Sequence, residues 1–348
     1  MEPQAGKTRY HTGDVIADRY KVRRVLGRGG MGVVYLVVDM ETQEQRALKT
    51  ILPQYSDNKT AIRRFSREVE TIRRLKHPAI VNIYDAGRLD AVLYYTMDYV
   101  NGKSLNRWIE ERGRLGIGST VRILALLADA LEHAHQHTIH RDISPENVMV
   151  LSDGTVRLLD FGLAKLVDNE GAFTMVGASL GKLQYKAPEQ GLNATGVDGR
   201  ADLYSLGVMF YVMLSGKFPK RGVKLTDLLP ELPRDCDDFV AKATARSPDD
   251  RFPDAREFRE TLMHVYQICT GKAASAYAPP EPPPVPLPDV PLGTVAPPPL
   301  AGPRPVAAPM LEPAPSFLRR LARRLTGWRD ALTGWLRRPF SRKTSNRT

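Results

Sequence analysis

With 348 residues, 42% of them apolar and 26% charged, the chain is long enough for two to three domains and for a substantial buried core. Cys236 and Cys269 show no paired spacing that suggests a disulfide framework or zinc site, which reads as buried structural thiols in a reducing compartment; no run of about 18 apolar residues and no apolar leader argues for membrane spanning or export. The net charge of +11 is uneven, because residues 316–348 carry ten Arg or Lys against one acid while residues 1–272 hold only +4.

Short β-like segments open the chain, at residues 19–27 (RYKVRRVLG), 32–39 (GVVYLVVD), 45–51 (QRALKTI), 81–87 (VNIYDAG) and 92–100 (VLYYTMDYV). One helix-like stretch, residues 58–76, interrupts them, with Ile62, Phe65, Val69, Ile72 and Leu75 at helical spacing. After Gly102 the pattern turns helical, most clearly over residues 119–137 and 200–216. This predicts an α+β, bilobal fold with a small β-rich lobe, a larger helical lobe and a ligand cleft between them. From about Ala273 to Pro315 the proline content excludes helix and sheet, so an extended or disordered linker is expected.

Chemistry-bearing residues recur in a fixed order. Gly27, Gly29 and Gly32 form G-x-G-x-x-G between two strand-like segments, which lets the backbone approach phosphate oxygens. Alone this is also an ordinary Gly-rich hairpin. A strand rather than a helix follows, and Val34 stands two residues after the last glycine, which disfavours a dinucleotide fold. Lys49 on the next strand can reach phosphates. Glu68 can orient that ammonium, being one turn from Phe65 and Ile72, whereas Glu70 is rotated by about 200°. In HRDISPEN, Asp142 can accept or orient a hydroxyl proton and Asn147 can turn its carbonyl oxygen to a metal ion. Asp160, in LLDFGLA, is a second metal ligand, and Ala187, Pro188 and Glu189 close the series.

These motifs make residues 15–272 resemble a eukaryotic-like serine/threonine protein kinase domain of the bacterial Hanks type, its N-lobe about 15–100 and its C-lobe about 101–272. The resemblance implies ATP and Mg²⁺, with Mn²⁺ as a substitute, and protein substrates with Ser or Thr acceptors. It implies that Asp202 braces the catalytic loop, that Arg251 pairs with Glu189, and that Asn147 and Asp160 hold the metal. It places Met97 as gatekeeper and Asp98 to Val100 as the hinge to adenine, with Val34, Ala47 and Met149 sandwiching the base. Arg141 beside Asp142 implies activation by phosphorylation between D-F-G and A-P-E, with Thr174 and Ser179 as the hydroxyl candidates and Thr174 preferred.

The chain departs from the family at Ser144, where most members carry a lysine that neutralises the transferred phosphate. Before A-P-E the family usually reads G-T-x-x-Y; here the residues are Gly181, Lys182, Leu183, Gln184 and Tyr185. Lysine and hydroxyl exchange places, and the expectation is that Lys182 restores the missing ammonium with Ser144 as its hydrogen-bond partner. The expected function is an ATP- and Mg²⁺-dependent, autophosphorylating serine/threonine kinase. The alternative is a nucleotide-binding pseudokinase scaffold targeted by its C-terminal helix.

That helix is expected over residues 316–340, with Leu318, Leu321, Leu325, Trp328, Leu332, Trp335 and Leu336 within about 100° of arc and most arginines opposite. Residues 341–348 read as a basic disordered end. The basic amphipathic pattern fits an anionic membrane surface, a protein partner or docking back onto the kinase; specific nucleic-acid binding is not expected. The location implied is cytoplasmic, with peripheral attachment at the inner face of the membrane as one form of it.

Overall fold

The structure, a computed structural model, describes residues 9–30, 32–51, 59–89, 92–161, 180–192 and 196–271. Thr174, Ser179, the linker at 273–315 and the tail at 316–348 lie outside the described residues.

Six strands form one antiparallel sheet: β1 (Val15–Ile16), β2 (Tyr20–Gly29), β3 (Gly32–Asp39), β4 (Gln45–Ile51), β5 (Ile83–Leu89) and β6 (Val92–Asp98), in the order β1-β2-β3-β4-β6-β5. Helix α1 (Lys59–Arg74) intervenes between β4 and β5. Successive strand residues point to opposite faces, and this alternation sorts the site from the scaffold. Tyr20, Val22, Tyr35, Val37, Leu48 and Tyr94 pack on one face. Ala47, Ile51, Leu93, Tyr95 and Met97 belong to the other, which merges with α1 and the helical core. Lys49, between Ala47 and Ile51, therefore shares a face with Tyr95 and Met97. Phe65, Val69 and Ile72 bury the inner stripe of α1, and Leu75 follows just after it.

The C-terminal part is helical, with α2 (Leu105–Arg112), α3 (Ile117–Ala134), α4 (Leu180–Leu183), α5 (Glu189–Leu192), α6 (Arg200–Ser215), α7 (Leu225–Leu228), α8 (Asp235–Ala243) and α9 (Ala255–Thr270). Strands β7 (Lys103–Ser104), β8 (Val148–Val150) and β9 (Val156–Leu158) make a second, three-stranded sheet. Helix α6 is apolar around its circumference, and every residue from Ala201 to Leu214 except Tyr204 is buried, as a central helix requires. Gly207 lets α8 approach: a Cβ there would stand 2.5 Å from the Ala243 Cβ. Phe239 meets Phe210, Phe252 and Phe258 with ring centroids 5.0–5.3 Å apart, each pair adding about 0.5–1.5 kcal/mol beyond area burial. Helix α9 is stopped at both ends by local chemistry. The Asp254 carboxylate accepts from Glu257 N at its start, and Gly271 adopts the left-handed conformation after its end.

The architecture is the expected one: a β-sheet lobe with one helix, followed by a helical lobe. The principal strands and the helices α1, α3 and α6 fall within about three residues of the segments read from periodicity.

Candidate active site

The β2–β3 hairpin carries the three glycines. Gly27 pairs with Val34 and Gly29 with Gly32 across the ladder. Gly27 and Gly29 face open space, whereas a Cβ at Gly32 would fall 1.8 Å from the Thr50 carbonyl oxygen. Only glycine lets β3 lie that close to β4. The next register step sets the site: Val34 stands opposite Lys49, Lys49 opposite Tyr95, and Ala47 opposite Met97.

Lys49 and Tyr95 converge on one carboxylate. Lys49 Nζ lies 2.7 Å from Asp160 Oδ2, and the Tyr95 hydroxyl donates to Asp160 Oδ1 at 2.5 Å. Asp160 has φ 51°, a left-handed backbone that aims its side chain at this pair. Burial would raise the Asp160 carboxyl, but the charge and hydrogen bond of Lys49, with the Tyr95 hydrogen bond, outweigh it and hold the group below the usual carboxylate range. Burial and the Asp160 charge push the Tyr95 phenol well above its ordinary value. The expected pairing of Glu68 with Lys49 is not the one observed. Asp160 takes the ammonium, and the half-buried Glu68 side chain makes no hydrogen bond or ion pair among the described residues. The carboxylate fixed by Tyr95 on the neighbouring strand is the better-placed partner. Glu70 is exposed and pairs with Arg73 and Arg74 on its own helix.

The catalytic-loop segment is held from below by a buried carboxylate. Asp202, in the first turn of α6, accepts from His140 N at 2.9 Å and Arg141 N at 2.8 Å, and its Oδ2 lies 2.9 Å from His135 Nε2. Those bonds support Arg141 at φ 61°, where a non-glycine residue costs on the order of 1–3 kcal/mol. Beyond it, Asn147 Nδ2 donates to the Asp142 carbonyl at 2.7 Å and to Asp142 Oδ2 at 3.0 Å, and Asn147 Oδ1 accepts from Lys182. The Phe161 ring packs on His140 with centroids 4.6 Å apart.

Lys182, at the end of α4, reaches this loop. Its Nζ lies 3.2 Å from Glu146 Oε2, 3.4 Å from Asn147 Oδ1 and 3.7 Å from Asp142 Oδ2. Burial pulls its pKa down, but Asp142, Glu146 and Asp160 more than reverse that, so the ammonium stays protonated. Ser144 is not its partner. The Ser144 hydroxyl is buried without a hydrogen-bond partner among the described residues, a state costing about 1–3 kcal/mol. Glu146, two residues on, carries full charge on a longer arm and wins the ammonium from a neutral hydroxyl.

Two further groups frame the site. Arg251, whose side chain is 0% exposed, satisfies all five guanidinium N–H groups: both Nη atoms bond Glu189 at 2.7 and 2.8 Å, and the carbonyls of Ala245, Arg200 and Arg246 take the others. Gln190 accepts from Ala187 N and donates to the Arg141 carbonyl at 3.0 Å, tying the A-P-E segment to the catalytic loop. At the other end of the cleft, Met97 is buried, Val100 and Met149 are half-buried, and the Asp98 side chain clamps the strand behind it. Asn82 N and Nδ2 donate to Asp98 Oδ2 at 2.9 and 3.0 Å, Tyr84 donates to Oδ1 at 2.5 Å, and Asp98 N returns a bond to Asn82 O at 3.1 Å. Tyr95, Glu146 and Gln190 escaped the sequence reading. Tyr95 looks like another core aromatic, and its hydroxyl acquires a role only once β4 and β6 are in register.

The protein kinase domain family matches residues 20–269. Serine/threonine-protein kinase PrkC of Bacillus subtilis is 32% identical over 270 residues, covering 73% of this chain and 41% of that protein. Serine/threonine-protein kinase PknB of Mycolicibacterium smegmatis is 34% identical over 277 residues, covering 72% and 44%. The chain thus spans about two fifths of the length of these relatives. Among solved structures, the PknI kinase domain of Mycobacterium tuberculosis is 34% identical with a TM-score of 0.62, covering 74% of this chain and all of that one. The chain belongs to the protein kinase family, in its bacterial Hanks-type serine/threonine branch.

Proposed function

We propose that residues 15–272 transfer the γ-phosphate of ATP to serine or threonine hydroxyls of proteins, with Mg²⁺ or Mn²⁺. The observation that carries this is the pairing of two lysines with the motif residues, Lys49 with Asp160 and Lys182 with Asp142 and Asn147. Phosphoryl transfer asks a protein mainly for positioning and charge neutralisation, and these side chains divide the two tasks. Asp142, fixed by Asn147, orients the acceptor hydroxyl and takes its proton. Lys49, paired with Asp160, and Lys182, paired with Asp142, bring positive charge to the phosphates. Asp160 stays ionised and Asn147 presents an oxygen, which is a donor set suited to Mg²⁺. When bound, the ion neutralises charge on the phosphates. Val34, Ala47, Met97, Val100 and Met149, with Asp98 at the hinge, form the adenine end, and Gly27, Gly29 and Gly32 cover the phosphates.

The test is transfer of labelled γ-phosphate to the purified full chain and to a basic protein substrate. Incorporation on Ser or Thr, lost with a chelator and restored by Mg²⁺ or Mn²⁺, is the expected outcome. A chain that binds nucleotide yet incorporates nothing would be the pseudokinase scaffold instead. Within the same assay, Tyr95→Phe is expected to raise the Mg²⁺ concentration for half-maximal activity about 10-fold, because it frees one oxygen of Asp160 from the bond that orients it. An unchanged Mg²⁺ titration would remove Tyr95 from the site.

Thr174 is the proposed autophosphorylation position, with Ser179 second; phosphopeptide mapping after incubation with ATP decides between them. Residues 316–340 are proposed to bind an anionic membrane surface, and co-sedimentation of the full chain with anionic against neutral liposomes tests it. Among the described residues no helix is long and apolar enough to cross a membrane.

A further inference from the structure

The active-site network uses neither cysteine, yet the fold brings the two together. Cys236 lies in the first turn of α8 and Cys269 in the last turn of α9, 33 residues away, and their sulfurs are 3.6 Å apart. Both sit on helices whose mutual placement is set independently of the thiols. Lys242 bonds Glu257 at 2.7 Å, and the Phe239 and Phe258 rings pack at 5.0 Å, so the contacts step down α8 as they step up α9. A disulfide has sulfurs about 2.05 Å apart, and the remaining gap of roughly 1.5 Å is within reach of side-chain rotation. Cys236 is fully buried and Cys269 half-buried, so an oxidant meets Cys269 first.

We propose that Cys236 and Cys269 form an oxidation site that closes to an intramolecular disulfide when the chain meets a hydroperoxide. The two thiols are not equivalent. Sulfur-to-sulfur hydrogen bonding from Cys236 holds the Cys269 thiol below its ordinary pKa, whereas that bond and burial push Cys236 up. The Cys269 thiolate attacks the peroxide, the O–O bond breaks, and a sulfenic acid forms as the leaving alkoxide or hydroxide takes up a proton. The Cys236 sulfur then attacks the sulfenic sulfur; the S–O bond breaks, and the departing hydroxide takes the Cys236 proton and leaves as water. The sulfur pair loses two electrons, and the hydroperoxide is reduced to an alcohol and water, or to two waters if it is hydrogen peroxide. This reading is separate from the active site and requires no phosphotransfer.

The closed loop contains Arg251, the residue that holds Glu189, and the bond anchors the last turn of α9 just before the chain continues into residues 272–348. A loop of this length constrains the unfolded chain enough to raise Tm by about 5–10 °C.

The experiment uses the full chain, reduced, freed of reductant, exposed to hydrogen peroxide and then alkylated in denaturant. Expected are a mass lower by about 2 Da with no alkylated thiol, a cross-linked peptide joining Cys236 to Cys269, the Tm rise above, and return of two alkylatable thiols after dithiothreitol. Cys236→Ala is expected to stop at a dimedone-reactive sulfenic acid on Cys269, and Cys269→Ala to slow oxidation at least about 10-fold. Two free thiols after peroxide, sulfinic acid on Cys269 beside an intact Cys236 in the unsubstituted chain, or a disulfide between two chains would each overturn the proposal.

Discussion

Replacing Lys182 by threonine is expected to lower kcat for phosphotransfer about 10²- to 10³-fold while leaving KM for ATP within a few-fold, the signature of charge needed in the transition state rather than in binding. The ammonium stands within 4 Å of Asp142, Asn147 and Glu146, on an element outside the catalytic loop, and its raised pKa keeps it charged across the working range. Adding Ser144→Lys to that variant is expected to recover at least about 10-fold, because it returns a cation to the same loop from the opposite direction. Full activity in the single variant would show that Lys182 serves only the packing of α4. Glu146→Gln supplies a finer check. If Glu146 merely parks the ammonium, its loss costs little; if it aims the ammonium at Asp142, kcat falls with it. The observed distances favour the second outcome, since one nitrogen bridges both carboxylates.

Arg251→Met is expected to be the most destabilising substitution of a charged residue, at about 3 kcal/mol and a fall in Tm of roughly 6–12 °C. The guanidinium is fully buried and closes five hydrogen bonds, three of them to carbonyls, two from the loop after α8 and one from α6. Arg251→Lys is expected to rescue little, because one ammonium cannot reproduce a planar fork that serves Glu189 and three carbonyls together. The pH dependence gives the sign. Burial alone would raise the Glu189 carboxyl, but the Arg251 hydrogen bonds more than offset it and the net value lies below the ordinary one. A depressed carboxylate contributes stability that is present above its unfolded pKa and lost as pH falls through the folded value. The deficit of Arg251→Met is therefore largest above about pH 5 and narrows on acidification, which thermal melts across that range would detect.

Most of the fold was legible because short apolar runs and period-3.6 patterns are local. GVVYLVVD, apolar from Val33 to Val38, and the stripe of Phe65, Val69 and Ile72 announce their elements without reference to the rest of the chain. The motif residues were legible for a related reason: glycine, aspartate and asparagine at set offsets answer to backbone and phosphate geometry. Pairings between distant elements were not. Lys49 finds Asp160 rather than Glu68 because strand register places Tyr95 beside it. Lys182 finds Glu146 rather than Ser144 because charge outcompetes a neutral hydroxyl. Two cysteines 33 residues apart carry no local sign of proximity, since the crossing of α8 and α9 alone decides it.

The clamp on Asp98 has a mechanical consequence. On its N-terminal side the connection between lobes is fastened to Asn82 and Tyr84 by four hydrogen bonds; on the other side Lys103 and Ser104 are already paired with Val150 and Met149. Only Tyr99, Val100, Asn101 and Gly102 lie between, so any flexing of this strand must be taken up in about eight backbone dihedrals. Arg24, reaching Tyr99 from β2, adds a tether on the sheet side of that short axle. Opening of the lobes is therefore expected to concentrate its backbone rotation in these four residues, with the clamped Asp98 carried along by the β-sheet lobe.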